Sequence, residues 1–412
     1  MRKFTIVRAR QPFPQEVSKS LFLLGPVPKT AKTKHLSWKP RVYRILERLG
    51  FDGVIYEPEQ EIAPDQGEVG YDEAEQIDWE VSGMRRSDVI IGWIARQFPE
   101  LPAMTSNIEL GEFFRSGKLF LGYPPGTPRI DYINYRATDW LKKNYGWSVP
   151  IYHDLEELLQ AAVLRLGAGA KRVEAETAVP LDIWQDKTFQ NWYGAMKLAG
   201  HKLLDLTVEY SYFGRQEIPT LKHRLWAIRP SIQVAGEKRR KNNEVVIGRS
   251  PSVAVLMFLP HGKDILNWEV VLVKEFRQSA LNHKGFVYEL PSGAVELLDG
   301  RYDERASLQS AWREVFEETG LTLDASRLHR YDIRQSMATM LAHEIELYTY
   351  CLEGDELGSL LSGEPTVGQV VNNKEKTYPF TMTVKELLDP VAIPLDWVNT
   401  GMIMNVMTRL AN

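Results

Sequence analysis

From Ser20 to Pro124 short apolar runs alternate with amphipathic stretches. SLFLLGPVP (Ser20–Pro28) predicts a strand ending in a Gly-Pro turn, and WKPRVYRILERLG (Trp38–Gly50) predicts a helix stopped by glycine. GVIYEPE (Gly53–Glu59) predicts a second strand and DEAEQIDWEVSGMRRS (Asp72–Ser87) a second helix. DVIIGWI (Asp88–Ile94) is continuously apolar and predicts a third strand; NIELGEFFRSG (Asn107–Gly117) predicts a helix, and KLFLGYP (Lys118–Pro124) a fourth strand. Strand and helix in alternation imply an α/β, Rossmann-like parallel sheet covered on both faces, with its ligand crevice beyond the carboxyl ends of the strands. This domain is expected over residues 1–148.

HDLEELLQAAVLRLGAGA (His153–Ala170) predicts a further helix, and its Gly/Ala-rich end with KRVEAETAVP reads as a linker. PLDIWQDKTFQNWYGAMKLAGHKLLD (Pro180–Asp205) is aromatic-rich and helical, so residues 149–205 form a helical connecting segment. From Leu206 strand patterns dominate: LTVEYSYF, RLWAIR, VVIGRSPSVAVLMFL, WEVVLVKEFR and GFVYELPSG. A helix at REVFEETG, a strand at IELYTYCLE and helices at TVKELLDP and WVNTGMIMNVMTRL complete an α+β domain over residues 206–412.

Composition narrows the class. The chain has 412 residues, 44% hydrophobic and 25% charged, which is ordinary for a folded multidomain protein. No apolar run approaches a membrane span and the N-terminus lacks a signal-peptide core, so a cytoplasmic protein without a membrane partner is expected. A lone cysteine, Cys351, excludes an intramolecular disulfide and a cysteine-based zinc site. The net charge of -4 argues against nucleic acid as a partner, and the basic run EKRRKNNE (Glu237–Glu244) reads as an exposed hairpin loop.

Candidate chemistry begins with REVFEETGL (Arg313–Leu321), where three glutamates crowd a helix end closed by Gly320. Acidic side chains at a helix C-terminus oppose its dipole, so something cationic should compensate. Glu314 and Glu318 share a face, Glu317 lies beside them, and Arg313 is one turn from Glu317 as its ion-pair partner. The glutamates alone do not choose between a solvated acidic helix end and a carboxylate cluster facing a hard divalent cation.

With ELPSG (Glu289–Gly293) upstream, this segment resembles the Nudix hydrolase box, and KEFRQSA and AHEIELYTYCLEGDEL resemble the flanking strands of its ADP-ribose pyrophosphatase branch. The spacing departs: nineteen residues, Ala294–Trp312, separate Gly293 from Arg313 where the family has about thirteen, and Arg305 stands where a glutamate is expected. The resemblance implies a Nudix fold and a magnesium or manganese ion held by Glu314, Glu318 and Glu317. Glu317 would be ligand or base, Arg313 would orient it, and a later glutamate (Glu344, Glu364 or Glu375) would join them. Bound magnesium or manganese supplies the Lewis acid and activated water that pyrophosphate cleavage needs. Arg277 and Glu289 are the expected substrate contacts, the alternative for Arg277 being a surface ion pair. The branch also implies a homodimer.

In the first domain GPVP (with Gly25), VIYEPE, Asp78 with SDVII, and TSNIELGEFFRSGKLFLG (Thr105–Gly122) resemble nucleoside 2-deoxyribosyltransferase-like proteins. The resemblance implies that Gly25 contacts substrate, that Glu109 attacks the anomeric carbon of a sugar, and that Asp78 contacts the base and exchanges its proton. On the predicted elements Glu109 falls in the first turn of a helix, where the dipole would keep it ionised. The plain alternatives are a helix-start charge and a solvated helix residue. Ala103 and Met104 stand where the family's transferases have sugar-binding carboxylates.

Together these features predict a metal-dependent pyrophosphohydrolase acting on a nucleoside diphosphate linked to another group, with a second domain acting on or binding the N-glycosidic bond of a nucleoside or nucleotide. The partner is a small nucleotide. The alternatives are a non-hydrolytic nucleotide sensor and a protein whose principal activity is glycosidic.

Overall fold

The computed structural model describes residues 3–28, 31–59, 73–213, 224–282, 284–296, 298, 302–358, 366–367, 376–389 and 395–411. The chain divides into two compact units, Met1–Gly248 and Arg249–Asn412. Among the described residues no helix is long and apolar enough to cross a membrane.

The first unit is built on a six-stranded sheet of β1 (Thr5–Arg8), β2 (Ser20–Leu24), β3 (Val54–Glu57), β4 (Val89–Trp93), β5 (Leu119–Gly122) and β6 (Ile151–Tyr152). Its order is β1-β3-β2-β4-β5-β6, and every pairing is parallel. Strand side chains alternate between two faces. Leu21, Leu23, Ile55 and Ile91 pack against α1 (Lys39–Arg48) and the helix Leu155–Leu166, whereas Phe22, Leu24, Tyr56 and Ile90 face α2 (Glu73–Arg86) and α3 (Met104–Phe113). Burial on both faces explains the near-continuous apolar runs of the central strands and gives a Rossmann-like α/β arrangement. After β3 the chain crosses to the other side of β2 to form β4, so the sheet reverses direction between β2 and β4. Ligands of such sheets settle at that reversal.

Residues 149–205 do not behave as a linker. They supply β6, a helix on the sheet, a two-residue strand at Arg172–Val173, and a fully buried arginine. Arg172 forms two 2.7 Å contacts with Asp88 at the start of β4, and also donates to the carbonyls of Val179 (2.6 Å) and Ser18 (3.1 Å). Asp88 in turn accepts from Ser20 N (2.8 Å) and Leu181 N (2.7 Å), so both charges are satisfied. Helix α4 (Lys187–Leu198) follows, capped by Asp186.

The expected boundary at residue 206 likewise falls inside the first unit. The aromatic segment packs forward: Phe189 meets the fully buried Trp226 edge-on at 5.8 Å, and Trp226 donates to Asp186 at 3.1 Å. The antiparallel pair β7 (Lys202–Phe213) and β8 (Arg224–Gln233) is thereby held in this unit. The basic run tops the hairpin that follows β8, with Gln233 opposite Arg240.

In the second unit β9 (Ser252–Leu259) is central, parallel to β13 (Glu344–Cys351) and antiparallel to β10 (Glu269–Phe276) and β12 (Ser292–Ala294). Strand β11 (Phe286–Glu289) pairs with β10. Helix α5 (Glu304–Thr319) covers one face through Ala311 and Val315, and α6 (Trp397–Leu410) covers the other through Ile403, Val406 and Met407. The arrangement is α+β. Asp303 caps the start of α5, and Gly320, at φ 74°, ends it as its position predicts.

Removing one partner of a buried, fully bonded ion pair costs roughly 3–5 kcal/mol because the other charge is stranded. Arg172→Met should therefore lower stability of the full chain by about that amount in urea denaturation followed by tryptophan fluorescence. A loss under about 1 kcal/mol, the scale of a surface pair, would show that the pair does not anchor the unit.

Candidate functional site

The β2–β4 reversal gathers side chains from four segments, each at or beyond the carboxyl end of a strand. Gly25 closes β2 where a Cβ would sit 2.3 Å from the Trp93 carbonyl oxygen and 3.0 Å from the Trp38 ring. Only a residue without a side chain lets these strand ends and Trp38 meet, so Gly25 shapes the crevice floor.

Lys39 opens α1 with its ammonium 1% exposed, 3.4 Å from Glu59 and 3.9 Å from Glu57. Tyr43 donates to Glu57, and Ser37 donates to Glu59 at 3.0 Å. From α2, Gln76 bridges the Pro58 carbonyl (3.1 Å) and the carboxylate of Glu80 (2.6 Å). Glu109 of α3 completes the group, within electrostatic reach of Glu80 and Lys39.

One buried lysine faces several carboxylates, and desolvation dominates. Burial pushes Glu109 up to about 7, with the Glu80 charge adding to the rise and Lys39 opposing it. Glu80 is raised by burial against the hydrogen bond from Gln76, and Glu57 is raised by burial against Lys39. Lys39 itself is lowered, since its burial outweighs Glu57 and Glu59. A carboxyl raised to about 7, as Glu109 is, suits general acid–base chemistry near neutrality.

Two expectations are corrected here. Helix α3 begins at Met104, so Glu109 is its sixth residue, beyond the first turn over which a helix dipole acts. Its carboxyl is accordingly governed by burial and protonates near neutrality. Asp78 is exposed, whereas Glu80 lies on the α2 face that carries Gln76 and Trp79 into the unit. The acidic residue α2 brings to Glu109 is Glu80.

Residues 18–127 match the family model described as nucleoside 2-deoxyribosyltransferase like. The first unit contains a nucleoside 2-deoxyribosyltransferase-like domain. The match takes in Gly25, Lys39, Glu57, Glu59, Glu80 and Glu109, that is, the whole crevice of this domain, and does not reach the second unit. No curated protein matches the chain.

The second unit brings the predicted glutamates together. A Cβ on Gly293 would fall 2.2 Å from Cδ of Glu314, so the carboxylate packs directly on the backbone of β12. Glu318 accepts from Ser292 N at 3.1 Å. Arg313 donates to Glu314 at 2.6 Å, pairs with Glu296, and reaches Glu317 at 3.6 Å. Arg277 pairs with Glu289 at 2.6 Å and Glu275 at 2.9 Å, which corresponds to the ion-pair reading of this residue. Glu318 is raised well above the usual carboxylate range, by burial first and then by Glu314, Glu275 and Glu289; Glu314 is raised by burial against Arg313.

Among the described residues, however, no group of three or more His, Cys, Asp or Glu side chains is arranged to hold a metal ion. The reason is visible in the pairing: Arg313 and Arg277 already engage Glu314, Glu317, Glu289 and Glu275. Glu344 begins β13, and Glu364 and Glu375 lie outside the described residues.

The Glu109 shift has a thermodynamic sign. A carboxyl raised from 4.5 to about 7 binds its proton more tightly folded than unfolded. Its contribution to stability is full below the unfolded pKa and is lost as pH rises through about 7. Glu109→Gln should thus remove part of the fall in stability between pH 5 and 8, read from denaturation midpoints at each pH. An unchanged pH profile would place Glu109 in solvent.

Proposed function

We propose that the nucleoside 2-deoxyribosyltransferase-like domain cleaves the N-glycosidic bond of a nucleoside or nucleotide, with Glu109 as nucleophile and Glu80 as the proton donor to the departing base. The observation that carries this reading is that two half-buried carboxyls at the sheet reversal, Glu80 and Glu109, lie within electrostatic reach of one another and both have raised pKa values, Glu109 at about 7. In the ionised Glu109 an oxygen attacks the anomeric carbon as the carbon–nitrogen bond breaks. The electron pair leaves with the base nitrogen, which takes the proton of Glu80. Water, or a second base, then displaces the carboxylate from the sugar. Lys39 stabilises the ionised form of Glu109, and Tyr43 and Ser37 hold Glu57 and Glu59 around the lysine.

The expected outcome is release of free base from a nucleoside or nucleotide panel resolved by mass. Glu109→Ala should abolish release, Glu80→Gln should slow it by roughly 10²- to 10⁴-fold, and Asp78→Asn should leave it near wild type. The rate should pass through a maximum with pH, because the step needs Glu109 ionised and Glu80 protonated at once. Full activity in Glu109→Ala would sink the assignment.

A second reading concerns the Arg249–Asn412 unit: magnesium- or manganese-dependent cleavage of a nucleoside diphosphate linked to another group, such as ADP-ribose or a nucleotide sugar. What favours it is the stacking of Glu314 on Gly293 and of Glu318 on Ser292 N, with both carboxyls raised by burial. For these carboxylates to serve a cation, Arg313 must give up Glu314. Magnesium or manganese should then raise the thermal midpoint of the full chain and permit AMP release from ADP-ribose, and Glu318→Gln should lose both effects. An unchanged midpoint and intact ADP-ribose in millimolar metal would reject this reading and leave the glycosidic one standing.

A further inference from the structure

The first unit carries a second concavity, a groove of about 530 Å³ walled by Phe13, Arg86, the Glu174–Ala178 turn and the beginning of β7 at Lys202 and Asp205. Its size is that of a small-ligand site. Arg86 is the last residue of α2, just before β4 begins, and therefore sits at the amino ends of the parallel strands. Gly25 and the Glu109 crevice occupy the opposite, carboxyl ends. The groove is a separate place.

Arg86 is built in unusually for an arginine. Its guanidinium lies 3.9 Å from the centroid of the Phe13 ring, and the same ring stacks on Trp79 at 5.4 Å and 6°. Its Nε is sealed from solvent and has no hydrogen-bond partner. Among the described residues no carboxylate or carbonyl takes any of its N–H groups, in contrast to Arg172, whose nitrogens are all engaged. The neighbouring Arg85 points elsewhere and pairs with Glu112 at 3.5 Å. Asp205 is near enough to favour the charge on Arg86, but one of its oxygens accepts the N–H of Leu206 at 2.8 Å, and burial outweighs it, drawing the guanidinium below its ordinary range. A guanidinium that lines an open groove and meets no acceptor among the described residues calls for an acceptor from outside the chain.

We propose that this groove is an anion site in which Arg86, with Lys202 beside it, holds a phosphate group. A guanidinium presents parallel donors that match two oxygens of a phosphate, and Lys202, which also lines the groove, adds a second positive charge. Phe13 has Arg86 against it and Trp79 stacked on it, so its ring offers no free face to a nucleobase. Recognition is of the phosphate alone. Glu174 and Asp205, also on the walls, set a limit on the ligand's charge and keep the site selective for a compact anion over an extended polyanion.

The test uses the full chain, with inorganic phosphate and a nucleoside 5′-monophosphate titrated by calorimetry at constant ionic strength. Phosphate is expected to bind saturably to the wild type, to Arg85→Gln and to Glu109→Gln alike, with Kd weakened by about tenfold or more in Arg86→Gln and by less in Arg86→Lys, which keeps the charge but loses the fork. Should Arg86→Gln fail to fold, Arg86→Lys and Lys202→Gln carry the same comparison. Inorganic phosphate and the monophosphate binding within a few-fold of one another, both sensitive to Arg86, would support recognition of the phosphate alone. Equal affinity in Arg86→Gln and wild type, or no saturable binding, would overturn the proposal. Phosphate binding lost only in Glu109→Gln would place the anion in the crevice and overturn it as well.

Discussion

The first unit hangs on the contact between Asp88 and Arg172. A carboxylate at the head of a central parallel strand is buried among apolar side chains, and it is tolerable there only because every oxygen is used. Ser20 of the adjacent strand, Leu181 and both terminal nitrogens of Arg172 donate to it. Since Arg172 also donates to the carbonyls of Ser18 and Val179, one pair of charges pins β2, β4 and the segment after Leu166 to one another. Neither charge contributes much by attraction alone once desolvation is counted. What the pair favours is register, since this packing of residues 170–181 satisfies both groups. The sheet reversal, and with it the crevice, depends on β2 and β4 being held in this way.

At the carboxyl end of those strands the rule is inverted. Lys39 and several carboxylates are gathered with little opposite charge, and burial raises Glu57, Glu80 and Glu109 while lowering the lysine. The fold thus spends the same material, buried charge, in two ways. At Asp88 and Arg172 the charges are matched, and in the crevice they are left unbalanced, with Glu109 raised to about 7. A neutral carboxyl beside an ionised one is the arrangement in which a single site can attack and protonate in one step.

Periodicity and glycine stops were enough to place the parallel sheet from Ser20 to Gly122, because strands buried on both faces announce themselves as unbroken apolar runs. They were not enough for β1, where Thr5–Arg8 is short and ends in charge, or for the linker, where Gly and Ala after Leu166 resemble a flexible joint and the decisive residue is a single arginine. Glu109 was legible from its neighbours, although its helix starts three residues earlier than predicted and removes the dipole argument. On α2 the sequence reading singled out Asp78, and Glu80, which the proposed function uses, was not named. The available signal lay in helical phase: Gln76, Trp79, Gly83 and Met84 form the inward stripe of α2, and Glu80 sits beside that stripe while Asp78 is exposed. A polar residue placed on an apolar face is the stronger mark of a site than one at a favoured spacing.

The same distinction bears on the second unit. Its glutamates were found together, as the spacing along α5 required, and Gly293 has the contact that explains why no side chain is tolerated there. Yet proximity of carboxylates does not by itself make a cation site, because arginine satisfies them too. Arg313 and Arg277 engage Glu314, Glu317, Glu289 and Glu275. Glu318 is raised by burial first and then by Glu314, Glu275 and Glu289, against the N–H of Ser292. A carboxylate buried beside like charges is pushed toward its protonated form unless a cation offsets them. Glu318 is therefore the position at which the two accounts of this cluster part, and its protonation, more than the geometry of the other glutamates, decides between an acidic helix end held by arginines and a working metal centre.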